Sequence, residues 1–324
     1  MSAEVKLETG TLTVSASPHI RCDESISKIM WHVNLALAPA ALFSVYQFGM
    51  PALTTMLICI IVAVATEYLI QKWQGKTISV CDGSAFLTGL LLAMNVPPTL
   101  PVYMPVFGTV AAIAVAKHTM GGLGFNIFNP ALVGRAIMLA SWPVAMTTWP
   151  AMASKVDGMT SATPLGILKL QGYAKLVEIF GDPATMYKSL FMGTRSGSMG
   201  ETSAMLLILG GVYLIFRGYI KWQVPVVMIG TVGVLTALCG QDPILHMMSG
   251  GLILGAFFMA TDMVTIPITV KGQIVFALGA GALTVLIRLL GGYPEGVCYS
   301  ILLMNCVTPL IDVWIKPAKF GARR

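Results

Sequence analysis

The sequence predicts an all-α polytopic membrane protein of about ten transmembrane helices, set out as two inverted five-helix repeats with one extracytoplasmic loop between them. Three observations lead there. Of 324 residues, 56% are hydrophobic and only 10% charged, with a mean hydropathy of +0.80, whereas a soluble domain is about 25% charged. That excludes a soluble globular enzyme. The apolar residues gather into runs that approach the ~20 residues needed to span a bilayer. The Lys and Arg lie at the ends of those runs, not in one basic patch with interleaved aromatics, so the formal charge of +6 is a topology signal. The partner it implies is the lipid bilayer, and no nucleic acid.

The elements follow in order. Residues 1–29 carry mixed polar side chains, too many and too evenly charged for a cleavable leader, and read as a cytoplasmic segment. Apolar runs at 30–48, 52–70, 84–96, 102–116 and 125–146 make a first transmembrane half, 30–146. Residues 147–202 form a loop. Runs at 203–216, 224–239, 245–260, 273–290 and 296–315 make a second half, 203–315, and residues 316–324 are a basic cytoplasmic tail. The third run ends at Asn95-Val96-Pro97-Pro98, where two prolines stop a helix, and so reads as short and broken.

With the N-terminus cytoplasmic, the inside segments hold Lys6, Arg21, Lys28, Lys72, Lys76, Lys117, Arg217, Lys221, Lys271, Lys316, Lys319, Arg323 and Arg324, while the short outside loops hold only Arg288. This bias supports ten crossings with both termini inside. It leaves the 147–202 loop outside, long enough to escape the charge rule. Gly121-Gly122 before the fifth run matches Gly291-Gly292 before the tenth, and 84–101 matches 249–267 as small-residue helices ending in a polar, Pro-containing break. An offset spanning five helices inverts the second half, and inverted repeats with broken helices bind ligands near the repeat interface.

The six cysteines, Cys22, Cys59, Cys81, Cys239, Cys298 and Cys306, include no C-x-x-C pair, so neither iron–sulfur nor zinc ligation is expected and most read as packing residues. His19, His32, His118 and His246 show no paired spacing, and no metal site is expected. Trp149 and Tyr173 read as interface or loop aromatics.

Within the loop stands Val156-Asp157-Gly158-Met159-Thr160-Ser161-Ala162-Thr163-Pro164. Asp-Gly and Ser/Thr with a Pro make a surface turn, and the small neighbours leave the Thr163 hydroxyl accessible to a modifying enzyme. From these residues alone, a plain turn and a modification site both stand.

The stretch Asp157 to Thr163 resembles the D-G-x-(S/T)-(G/S)-A-(T/S) motif, at whose last hydroxyl a flavin transferase attaches FMN through its phosphate. With Gly124-Phe125-Asn126-Ile127-Phe128-Asn129-Pro130-Ala131, Arg135 and Gly197-Ser198-Met199-Gly200-Glu201-Thr202-Ser203, the chain resembles the RnfD family, membrane subunits of the Rnf ion-translocating electron transport complex. It is more distantly similar to NqrB of the sodium-translocating NADH:quinone reductase. Ser161 stands where Gly is commoner. The resemblance implies covalent FMN on Thr163, Asp157 helping the transferase position the acceptor, and a second, noncovalent flavin, riboflavin. It implies a flavoprotein of the bacterial or archaeal cytoplasmic membrane. Its partners are the other Rnf-type membrane, iron–sulfur and flavoprotein subunits, and it relays electrons between ferredoxin and NAD while Na+ or H+ moves.

The remaining candidates are residue readings. Gly197 and Gly200 lie in a Gly-rich approach to the sixth run, which reads either as an anion site beside a flavin phosphate or as a flexible loop with an N-cap. Asn126 and Asn129, three apart in the fifth run, share a helix face and are the riboflavin candidates; the plainer readings are an N-cap and a helix–helix hydrogen bond. Arg135, mid-helix, must find an acid or a flavin. Of the acids Glu67, Asp82, Asp262, Glu295 and Asp312, most fall within a turn of an interface, and Asp82 and Asp262, at matching breaks of the repeat, are the ion-path candidates. A channel or secondary transporter lacking covalent flavin, and a structural anchor for a soluble redox subunit, are the rival functions.

Overall fold

A computed structural model describes residues 24–150, 160–161, 163–193, 197–201, 203–293 and 295–317. Among the described residues the architecture is helical, apart from one two-residue antiparallel pairing of Trp149–Pro150 with Thr160–Ser161. Four helices are long and apolar enough to cross a membrane: α1 (Ile26–Phe48), α2 (Met50–Trp73), α13 (Val270–Leu290) and α14 (Val297–Trp314). At 1.5 Å per residue each reaches ~27 Å or more. Ser25 caps α1 by accepting from Lys28 N, and Gly49, at φ 70°, reverses the chain into α2 in a single residue, with Pro51 in the first turn.

Shorter elements lie between them. α3 (Ser84–Met94) is half-length and stops at Asn95, as Pro97-Pro98 predicts. α4 (Tyr103–Ala111) runs on through a π-helical turn, Ala112–His118. The fifth span differs from expectation. Asn129 caps α5 (Pro130–Ser141), so residues before it are not helical, and the chain breaks at Trp142 before α6 (Pro143–Thr147) because Pro143 cannot continue a helix.

The segment read as a loop contains two helices, α7 (Pro164–Phe180), kinked at Gly172, and α8 (Pro183–Met192). They bury Ile167, Leu176, Met186 and Leu190 against Leu245 in a small core of their own, an apolar face too broken up to form a membrane-length run. The second half continues with α9 (Ala204–Phe216), α10 (Gln223–Leu238) and α11 (Pro243–Met248). The expected 245–260 helix is interrupted. Gly250 and Gly251, at φ 69° and 67°, break it before α12 (Leu252–Leu254), which passes into a π turn, Gly255–Met259.

Helices in lipid gain little from hydrophobic burial against one another, so they pack through small residues that let backbones approach. A Cβ on Gly89 of α3 would meet Cys59 O of α2 at 2.6 Å, and one on Gly134 of α5 would meet Gly108 O of α4 at 2.7 Å. In the second half, a Cβ on Gly281 of α13 would meet Met228 O of α10 at 2.9 Å. One core, including Leu37, Leu92, Met94, Leu132, Met138 and Phe276, joins both halves. The two interrupted helices meet at their C-terminal ends, where Asn95 Nδ2 lies 3.6 Å from Met259 Sδ.

Candidate functional site

Thr163 is the N-cap of α7: its backbone is extended (φ −64°, ψ 155°), and its hydroxyl accepts from Gly166 N at 3.2 Å. Pro164 fixes the first helical φ, where a missing N–H costs nothing. Contrary to the expected exposed loop, Thr163 is only 4% exposed. It lines a cavity of about 350 Å³ together with Arg135, Trp149, Tyr293, Glu295 and Tyr299. Gly166 and Leu170 of α7 share the wall of this cavity with Leu139 of α5 and with Cys298 and Tyr299 of α14. Trp149 is likewise buried in this wall, not a loop aromatic, and its backbone pairs with Ser161. Asp157 lies outside the described residues, and of Ser161 only the backbone pairing is described.

Arg135 finds its acid. Its Nη2 donates to the Glu295 carboxylate, and Nη1 donates to Asn95 Oδ1 at 3.3 Å. Glu295 is fixed from its other end, for Arg288 Nε donates to its carbonyl at 2.9 Å. Arg288 also donates to His246 O at 2.6 Å and Ser249 O at 2.8 Å, so this helix-end cation is a buried clamp on three carbonyls and not a solvated topology charge.

Asn126 and Asn129 do not share a helix face. Asn129 Oδ1 caps α5 by accepting from Ala131 N at 3.1 Å, and Asn126 Nδ2 donates to Phe128 O at 3.1 Å within the preceding turn. The reason is Pro130, which disfavours helical backbone at the residue before it. Both nonetheless line a second cavity, with Ser84, Lys117 and Asp262. At about 80 Å³ it is small; an engineered cavity of about 150 Å³ takes one benzene ring.

Lys117, counted from sequence among the inside loop cations, is 2% exposed and donates to both Glu67 oxygens at 2.8 Å and to Ser84 Oγ at 2.7 Å. Glu67, placed by sequence near a solvating interface, is 1% exposed and also accepts from Gln71 Nε2 at 3.1 Å. Lys117 stands in the π turn that ends α4. An acid inside a 24-residue apolar helix with Gln four residues on was the available signal for this pair.

Asp82 and Asp262 do not occupy matching places. Asp82 stands at the start of α3, accepting from Ser84 N at 2.8 Å and Ser84 Oγ at 2.7 Å, whereas Asp262 follows the end of the α12 π turn and accepts from Val264 N at 3.3 Å. Gly197 and Gly200 are not among the described residues lining the Thr163 cavity. Gly200 lies in a buried 3-10 turn where a Cβ would meet Met94 O at 2.7 Å, and Gly197 packs against the Glu201 side chain; both glycines serve close packing.

Fold and site together define a multi-pass helical membrane protein with cavities between its helices that carry a few polar groups, one of them lined by a charge pair, aromatics and the helix-capping Thr163. The chain belongs to the NQR2, RnfD, RnfE family, whose model matches residues 13–321. It is 64% identical to the D subunit of the proton-translocating ferredoxin:NAD+ oxidoreductase complex of Clostridium ljungdahlii, over 99% of this chain and 100% of that one. It is 49% identical to the D subunit of the Na+-translocating ferredoxin:NAD+ oxidoreductase complex of Acetobacterium woodii, over 97% and 96%. To the D subunit of the ion-translocating oxidoreductase complex of Stutzerimonas stutzeri it is 39% identical, over 92% of each. These relatives are subunits of ion-translocating oxidoreductase complexes.

Proposed function

We propose that this chain is the flavin-carrying membrane subunit of an ion-translocating ferredoxin:NAD+ oxidoreductase complex, with FMN joined through its phosphate to Thr163. The observation that supports it most is the placing of Thr163 on the wall of a cavity of about 350 Å³, within the size range of small-ligand sites. The residues present suit an isoalloxazine. Trp149, Tyr293 and Tyr299 offer ring faces and Arg135 a cation, while the phosphoester fixes the group without a closed binding cleft. When bound, FMN supplies electron transfer in steps of one or two electrons. The chain's own part is to tether, orient and partly bury it.

The hydroxyl's present acceptance from Gly166 N leaves its oxygen at the positive end of α7, where a phosphoester charge is favoured. Riboflavin belongs in this reading to the cavity at Asn126 and Asn129, whose amides both donate and accept. That cavity has to widen to take three rings, so its support is the chemistry of the wall and the family resemblance, and no electron step is routed through it. Ten crossings with cytoplasmic termini and an extracytoplasmic Thr163 are the topology that the Lys/Arg distribution supports. Partners are the remaining membrane, iron–sulfur and flavin subunits and the maturing transferase; the moved ion is Na+ or H+.

The test is denaturing-gel fluorescence with peptide mass mapping around residues 157–165, in chain produced alongside an active flavin transferase. Wild type should carry a fluorescent, FMN-weighted peptide that Thr163→Ala loses. Wild type without added mass would reject the reading and leave transport by the bare helices as the better account.

A further inference from the structure

We infer that Arg135 and Glu295 are positioning residues that set, in opposite directions, how readily a ring held at Thr163 takes up an electron. The inference rests on the reading of Thr163 as the flavin-bearing residue. Among the described residues lining that cavity, Arg135 and Glu295 are the two that carry full charge. They pair directly, with side chains 7% and 13% exposed. Neither is free to wander. Arg135 is anchored to Asn95 Oδ1 at 3.3 Å, and the Glu295 carbonyl is held by Arg288 Nε at 2.9 Å. Arg135 also keeps a buried donor in reserve, since its Nε has no hydrogen-bond partner among the described residues.

A guanidinium with an unspent donor at the wall of a ligand-sized cavity is expensive to bury unless something arrives to use it. An anion does so. Reduction of a ring bound there, by one electron from a redox centre of a partner protein and without a proton, would add one negative charge beside this pair. Arg135 stabilises that charge and Glu295 opposes it, and the low-dielectric surroundings amplify both effects. A pair serving packing alone has no reason to act with opposite signs.

The experiment uses the assembled complex, produced with flavin transferase. Gel fluorescence and peptide mass first establish covalent flavin on Thr163 in each variant. Spectroelectrochemical titration then follows the absorbance component that Thr163→Ala removes. Arg135→Gln should lower the midpoint potential of that component, Glu295→Gln should raise it, the double variant should return toward wild type, and Arg135→Lys should keep most of the wild-type value. If one Gln variant fails to assemble, the sign of the shift in the other decides, an absent or opposite shift overturning the inference. Unchanged potentials, or shifts of the same sign in both single variants, would overturn the inference while leaving the flavin assignment standing. Wild type without flavin on Thr163 overturns both.

Discussion

Lys117 illustrates how a residue's meaning depends on which way its helix turns. Its ammonium sits against both Glu67 oxygens at 2.8 Å with almost no solvent, and a buried pair broken on one side leaves an uncompensated charge costing about 3–5 kcal/mol. Lys117→Met should therefore lower the thermal unfolding midpoint in detergent sharply. A Glu67→Gln, Lys117→Met double variant should recover most of the loss, since it buries no net charge. A double variant as unstable as the single would mean that shape and not charge holds this site. Thr163 carries a smaller local duty. Losing its cap costs α7 about 1 kcal/mol, so Thr163→Ser, which keeps an oxygen at the same place, should fold like wild type and still accept flavin.

At the scale of elements, close helix approach governs the fold. Gly134 of α5 lies against Gly108 O of α4, and α5 also carries Asn129 as its N-cap and Arg135 less than two turns further on. Widening this contact moves both cavity walls together. Gly134→Val should cost about 1–3 kcal/mol through overpacking and reduce the flavin attachment proposed at Thr163, read as a lower folded yield on size-exclusion chromatography and a weaker fluorescent band. The capping pair α7 and α8 is tied down differently. The Tyr187 hydroxyl donates to Asp242, which itself caps α11 through Ile244 N and Leu245 N. This bond, with burial, pushes the Tyr187 phenol above its ordinary range. Tyr187→Phe should speed proteolysis of 163–193 and leave the transmembrane core intact.

For the molecule as a whole, the proposed topology places α7 outside and the end of α2 inside. In a background stripped of its native cysteines, Tyr173→Cys should react with a membrane-impermeant maleimide added to intact cells, and Lys72→Cys only after permeabilisation. Both positions are exposed. Reversal of the two would invert the topology and put Thr163 on the cytoplasmic face.

The sequence by itself determined the membrane class, because an apolar chain this short of charge has no soluble solution. It also placed most helix cores and the half-length α3, since Pro97-Pro98 forbids its continuation whatever surrounds it, and it singled out Thr163 through a local motif. Local chemistry of that kind is written in consecutive residues. What only the tertiary structure decided is which distant groups meet: Glu67 with Lys117 across 50 positions, and Arg135 with Glu295 across 160. It also turned an expected loop into a helical cap and an expected exposed threonine into a cavity wall. The physical reason is that a buried charge in lipid must be paired, while the sequence states only that a partner is needed. The helix packing, set by where glycines let backbones touch, chooses which one.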